Sequence, residues 1–217
     1  MIIRIVAGGP ETELPILKKD PDAGEQWIGV DRGAFFLLER GIVPDKAFGD
    51  FDSITEEEWN RIAAAVPDHV QFPAEKDETD LEIALNHAIK QKPEMIFIYG
   101  VTGGRLDHFF GAVTLLLKKE LTCSVVIVDR QNELSVYSPG EAVLAQKKQW
   151  PYVSFFALNQ EVEGLTLSGF KYPLHDYTVQ LGSSRCVSNE IIEKKGVFSF
   201  RSGILMVIRS RDGRRSL

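Results

Sequence analysis

The sequence predicts two fold classes in succession. The first is α/β, with a mainly parallel sheet and helices on both faces; the second is an all-β sandwich or barrel. Two observations carry this. Over roughly the first 130 of 217 residues, short apolar runs alternate with helical patterns, the order that builds strand–helix–strand units. After Asp129 no amphipathic helix recurs, and short strand-like runs are broken by Gly, Pro or Asn. The boundary is expected near residues 130–145, giving domains 1–135 and 136–217.

Taken in order, Ile2 to Ala7 reads as a strand ending in Gly8-Gly9, and Trp27 to Val30 as another ending at Asp31-Arg-Gly33. A helix through Ala34 to Arg40 stops at Gly41. Pro44 precedes a strand expected to carry Asp50 and Asp52. Thr55 and Glu58 form a capping-box pattern that opens a helix to Ala65. Val70 to Phe72 is a short strand. Thr79 or Asp80 starts a helix whose buried face holds Leu81, Ala84, Leu85 and Ala88. Met95 to Tyr99 is a strand, about Leu106 to Lys119 a helix, and Ser124 to Val128 a strand whose apolar pattern takes in Cys123 and places it in the core. Right-handed crossovers would set Gly8, Asp31, Asp50 and the Gly103-Gly104 loop along one rim. In the second half, strands are expected at Leu134–Tyr137, Tyr152–Leu158, Leu165–Leu167, Tyr177–Leu181, Asn189–Glu193, Val197–Arg201 and Ile204–Ile208. Lys194-Lys-Gly196 and Ser202-Gly203 read as turns.

An apolar fraction of 44% and a charged fraction of 26% are those of an ordinary globular chain. A formal charge of -6 argues against nonspecific nucleic-acid binding. The basic cluster Arg209 to Arg215 reads as a solvated, frayed tail. No apolar run approaches the ~20 residues of a membrane span. The start, Met-Ile-Ile-Arg-Ile-Val, lacks the pattern of a signal peptide and reads as a strand. Cys123 and Cys186 have no metal-like spacing and fit a reducing, cytoplasmic setting.

The chemistry concentrates in three segments: Gly49-Asp-Phe-Asp-Ser-Ile54, Glu75-Lys-Asp-Glu-Thr-Asp80 and Gly100-Val-Thr-Gly-Gly-Arg-Leu-Asp-His108. If Asp50 and Asp52 alternate along a strand, both carboxylates point to one side. Close carboxylates repel unless a cation lies between them or one takes a proton. An oxygen-rich set of this kind suits Mg²⁺ shared with substrate phosphates. Taken singly, an Asp-x-Asp is more often a turn, Asp77 and Asp80 could merely charge a helix start, and the Gly-Gly-Arg loop could be a plain turn. Their convergence at the carboxyl ends of strands favours a metal-bound polyphosphate site. From these residues alone the reading is a metal-dependent nucleotide enzyme. A Mg²⁺-dependent nucleotide pyrophosphate hydrolase and a non-catalytic nucleotide-binding module stand as alternatives.

With Ser188-Asn-Glu190 added, the same segments resemble, in order and near spacing, the bacterial-type thiamine pyrophosphokinases (thiamine diphosphokinases) over almost the whole chain. The resemblance implies a Rossmann-like domain, a β-sandwich domain, and a homodimer binding thiamine between one subunit's α/β domain and the other's β domain. It implies transfer of a diphosphate from ATP to the hydroxyl of thiamine, with AMP released. Carried over by position, Asp50, Asp52 and Asp80 are expected as metal and catalytic carboxylates, with Asp77 close by and Lys76 beside the phosphates. The loop of Thr102, Gly103, Gly104, Arg105, Asp107 and His108 is expected to take the nucleotide. Ser188 and Asn189, with Asp31, are expected at the substrate. There are two departures. Asp31-Arg-Gly33 stands where many relatives read Asp-Gly-Gly, and Met206 stands where animal and fungal members carry a Trp that packs on thiamine.

Overall fold

The computed structural model describes residues 1–20, 22–52, 54–73 and 75–213, and the chain divides into the units Met1–Arg130 and Gln131–Leu217. Ser53 of the acidic motif, and Arg214 and Arg215 of the basic cluster, lie outside the described residues.

In the first unit the apolar runs form β1 (Ile2–Val6), β2 (Glu25–Val30), β3 (Lys46–Gly49), β4 (His69–Gln71), β5 (Met95–Tyr99) and β6 (Ser124–Val128). They run side by side in the order β6-β5-β1-β2-β3-β4, every pairing parallel. Among the described residues, four α-helices connect them, α1 (Arg32–Glu39), α2 (Glu56–Ala65), α3 (Asp80–Lys90) and α4 (Leu106–Leu115), with a short 3-10 helix at Glu11–Glu13. A Cβ on Gly29 would lie 2.4 Å from Ala34 Cα, so α1 packs on that face of β2. Phe48 shares a face with its register partner Val30, opposite to that of Gly29, and meets His87 of α3 ring-to-ring at 5.2 Å. Helices therefore cover both faces. Ile3, Ile5, Ile28, Ile96 and Ile98 are fully buried in between, as expected of strands covered on both sides.

Local signals behave as their chemistry dictates. Thr55 Oγ1 accepts from Glu58 N and Glu58 Oε2 accepts from Thr55 N, closing the capping box of α2. Glu58 also binds Arg32 at 2.7 Å, tying the start of α1 to α2. Thr79 caps α3, whose Ala84, Leu85 and Ala88 are fully buried.

The second unit is all antiparallel. Strands β7 (Asn132–Tyr137), β9 (Tyr152–Ala157), β12 (Asn189–Glu190) and β14 (Leu205–Ser210) lie in the order β12-β9-β14-β7. The other layer is β11-β10-β13-β8, with β8 at Gly140–Ala145, β10 at Val162–Ser168, β11 at Leu174–Val179 and β13 at Lys195–Phe200. One core draws Val153, Phe155 and Val207 from the first layer and Leu165, Phe198 and Phe200 from the second. Two layers closing on one core make a sandwich and not a barrel. Among the described residues, no helix is long and apolar enough to cross a membrane.

Four expectations are corrected. Strand β3 ends at Gly49 and Phe51 takes φ +57, so Asp50 and Asp52 lie on a turn beyond the strand and do not alternate along it. Gly196 lies inside β13 and makes no turn. A Cβ there would meet the Phe170 ring at 2.5 Å, so the glycine serves close packing. Cys123 is only partly buried, just before β6. Arg209 belongs to β14 and is buried at 6% exposure, so the basic cluster does not begin as a tail. Strand β8 was not foreseen; it is an edge strand with Val143 exposed, which blurs its alternation.

Candidate active site

Parallel strands deliver all their carboxyl ends to one rim, and the strand order reverses between β1 and β5, the place where open α/β sheets bind ligands. Gly9 N donates to Gly100 O at 2.8 Å, joining the loops after β1 and β5. Asp31 N donates to Phe48 O at 2.8 Å, joining the ends of β2 and β3.

Three acids meet there. Asp31 precedes α1 at φ +50, Asp50 follows β3, and Asp80 is the first residue of α3. One carboxylate oxygen from each lies within 4.8 Å of the others, and all three residues are partly buried. Among the described residues, the buried Oδ1 atoms of Asp31 and Asp80 have no hydrogen-bond partner. Burial, then the charges of Asp80 and Asp50, push the Asp31 carboxyl up from 3.8 to about 7. An anionic cluster with unsatisfied buried oxygens is unfavourable by itself and becomes favourable around a hard cation.

Gly49 makes the arrangement possible. A Cβ at this position would stand 2.1 Å from Asp31 Oδ1. The sequence signal was the Gly directly before Asp50, but its role is visible only in three dimensions. Gly33 is likewise required, because its Cβ would fall 1.9 Å from Val6 O. Arg32, the departure from Asp-Gly-Gly, is exposed and reaches Glu58.

Asp52 stands exposed beside Asp50, its N–H donating to Asp50 Oδ1 at 3.1 Å. The charge of Asp50, and a hydrogen bond to the same group, raise its pKa. Lys76 Nζ lies 3.1 Å from Asp80 Oδ2 and donates to Pro73 O at 3.1 Å, so a cation already flanks the trio. Asp77 is exposed.

In the loop after β5, Gly103 takes φ +77 and the buried Thr102 Oγ1 has no partner among the described residues. Arg105 grips Asp107 through Nε at 3.1 Å and Nη2 at 2.6 Å, and this pair holds the Asp107 carboxyl down to about 2. The pair is open to solvent, with side chains 72% and 63% exposed. His108 is exposed on the first turn of α4.

In the second unit, exposed Ser188 takes φ +58 and its N–H donates to Ser154 Oγ at 2.9 Å. Asn189 is buried and both ends of its amide are engaged. Its Oδ1 accepts from the N–H groups of Tyr172 and Glu190, and its Nδ2 donates to Tyr172 O. It thereby clamps the backbone beneath the exposed Tyr172 ring. Met206 is partly buried in β14, between Val136 and Phe156.

Comparison with known proteins agrees with this organisation. The catalytic domain of thiamin pyrophosphokinase, as a family model, matches residues 21–127, and the family's vitamin B1 binding domain matches residues 142–205. Thiamine pyrophosphokinase of Bacillus subtilis (strain 168) is 47% identical over 211 residues, covering 97% of this chain and 99% of that protein. The crystal structure of thiamine pyrophosphokinase from Bacillus subtilis superposes with a TM-score of 0.93 at 46% identity, covering 98% and 100% of the two chains. That of the Geobacillus thermodenitrificans protein gives 0.90 at 48% identity, covering 99% of each. Two domain models matched in order, and identity near one half over nearly the full length of both chains, make this chain a member of the thiamine pyrophosphokinase family.

Proposed function

We propose that this enzyme transfers a diphosphate group from ATP to the hydroxyl of thiamine, giving thiamine diphosphate and AMP. The observation that carries the reading is the Asp31–Asp50–Asp80 cluster at the strand ends of a chain matched by both family domains. The thiamine hydroxyl oxygen attacks the β-phosphorus of ATP, and the bond from that phosphorus to the oxygen bridging the α-phosphorus breaks. Such transfers ask for positioning and charge neutralisation and need no covalent enzyme intermediate. The hydrolase and binding-module alternatives are not favoured, because the relatives matched over both domains are thiamine pyrophosphokinases. The deciding test is mass analysis after incubation with ATP, Mg²⁺ and thiamine. Thiamine diphosphate and AMP are expected in equal amounts, and AMP formed without thiamine would revive the hydrolase.

The cofactor we assign is Mg²⁺. The all-oxygen donors and the two orphaned carboxylate oxygens fit it, with Asp31, Asp50 and Asp80 as its holders. When bound, it would neutralise charge on the phosphates. Asp52, which lies beside Asp50, takes the proton of the thiamine hydroxyl, and its raised pKa supports this role. Lys76 and Asp77 flank the phosphates, and the loop from Thr102 to His108 receives the nucleotide, with the unpartnered Thr102 hydroxyl available to it. Ser188 contacts thiamine, and Asn189 acts by holding Tyr172.

Arg105 supplies a planar fork for phosphate oxygens that Lys cannot reproduce. Arg105→Lys is expected to raise the KM for ATP about tenfold, with the melting temperature nearly unchanged. An ion pair this exposed contributes little to stability. A lowered melting temperature with unaltered ATP kinetics would assign Arg105 a structural role instead.

We further propose a cytoplasmic homodimer with a shared active site. Free Cys123 and Cys186 support the compartment. The sharing rests on family resemblance and on the two substrate motifs lying in different units. Mixing inactive Asp50→Asn with inactive Ser188→Lys, whose added cation repels a thiazolium, should restore part of the activity in hybrid dimers. Subunit exchange without any recovery would refute sharing.

A further inference from the structure

We infer that the second unit carries an anion site, independent of the diphosphate-transfer chemistry, that takes the phosphate end of a ligand. It is a cavity of about 210 Å³ beside the β8–β9 turn, lined by Lys147, Lys148, Trp150, Glu190 and Arg209. Its size suits a phosphate group with its water and is below the ~300 Å³ at which pockets for drug-sized ligands begin, so the rest of a phosphorylated ligand would lie outside it.

Arg209 carries the argument. Its side chain is only 7% exposed. Nη2 donates to Ala145 O at 2.8 Å, while the buried Nε has no hydrogen-bond partner among the described residues. The ordinary explanation would pair Arg209 with Glu133, but the distance is 3.9 Å. Both oxygens of Glu133 are already taken by Lys147 Nζ, at 2.7 and 2.8 Å. One carboxylate thus faces two cations. Exposed Lys148 adds a third positive charge, while Glu190 is engaged by Lys171 at 2.6 Å.

The Trp150 Nε1–H is a second buried donor without a partner among the described residues. The turn holds it in place, with Trp150 N donating to Lys147 O at 3.1 Å and Lys147 Nζ 5.2 Å from its ring. Unsatisfied buried donors beside excess positive charge are completed by an anion with several acceptor oxygens. Free phosphate, AMP and thiamine diphosphate all present such a group.

The test follows the indole N–H resonance of Trp150, assigned with Trp150→Phe, in the intact protein with EDTA present to suppress metal-dependent binding elsewhere. Inorganic phosphate, AMP and thiamine diphosphate are titrated in turn. A saturable shift is expected, with Trp27 and Trp59 unmoved, and Lys148→Glu should weaken it at least about tenfold while leaving diphosphate transfer intact. Tighter binding of AMP or thiamine diphosphate than of phosphate would identify a phosphorylated ligand, and equal binding would identify phosphate itself. Arg209→Gln should abolish the shift, and Lys148, being exposed, keeps the test valid if that variant fails to fold. The proposal falls if none of the three ligands moves the resonance saturably, or if Lys148→Glu titrates like the parent.

Discussion

Replacing Asp50 by Asn is expected to lower kcat/KM for diphosphate transfer by about a hundred- to a thousandfold, a loss of roughly 3–4 kcal/mol of transition-state stabilisation. The amide keeps the size of the side chain and removes its charge, so the far-ultraviolet dichroism should not change. Gly49→Ala should give the same defect without touching a carboxylate, because its Cβ would collide with Asp31 Oδ1 at 2.1 Å. Asp52→Asn separates the two roles we assign. It should lower kcat while Mg²⁺ affinity, read by calorimetry, stays close to the parent value. Asp50→Asn should lose both. If Asp52→Asn weakens Mg²⁺ binding as strongly as Asp50→Asn does, Asp52 belongs among the ligands.

Removing the charge of Asp31 should stabilise the metal-free protein while crippling the enzyme. The Asp31 carboxyl is raised to about 7 in the folded chain, from 3.8 without its surroundings. Below the lower value both states hold the proton and the group is neutral to stability. As pH rises between the two values, the unfolded state releases the proton and the folded state keeps it, so stability falls. Above about 7 the loss is complete, at most roughly 4 kcal/mol. In EDTA at pH 8, Asp31→Asn should therefore melt several degrees above the parent. Near pH 4 the two should coincide. Added Mg²⁺ should raise the melting temperature of the parent much more than that of the variant. A variant less stable than the parent in EDTA at pH 8 would show that the Asp31 carboxylate is not under electrostatic strain.

Several parts of this protein were legible in the chain itself. Thr55 and Glu58 announced the cap of α2, and the spacing of Ala84, Leu85 and Ala88 gave the buried face of α3, with Leu81 only partly buried, because both depend on residues within one or two turns. The change from alternating to all-β patterning placed the two fold classes in order, and the three acidic and glycine-rich segments marked one strand-end rim. Pairing was not legible. That Asp31, Asp50 and Asp80 converge depends on β2 and β3 lying side by side and on the start of α3 returning to the same rim, which are long-range contacts. The turn at Phe51, with its positive φ, removed Asp52 from the strand alternation expected of it. Arg209 shows the same limit from the other side. The residues that follow it in sequence are polar and basic, yet Arg209 lies in β14 between β7 and β9 and is buried. Local sequence sets the period of each element, whereas burial and the meeting of charges depend on which elements lie next to one another, and only the tertiary structure decides that.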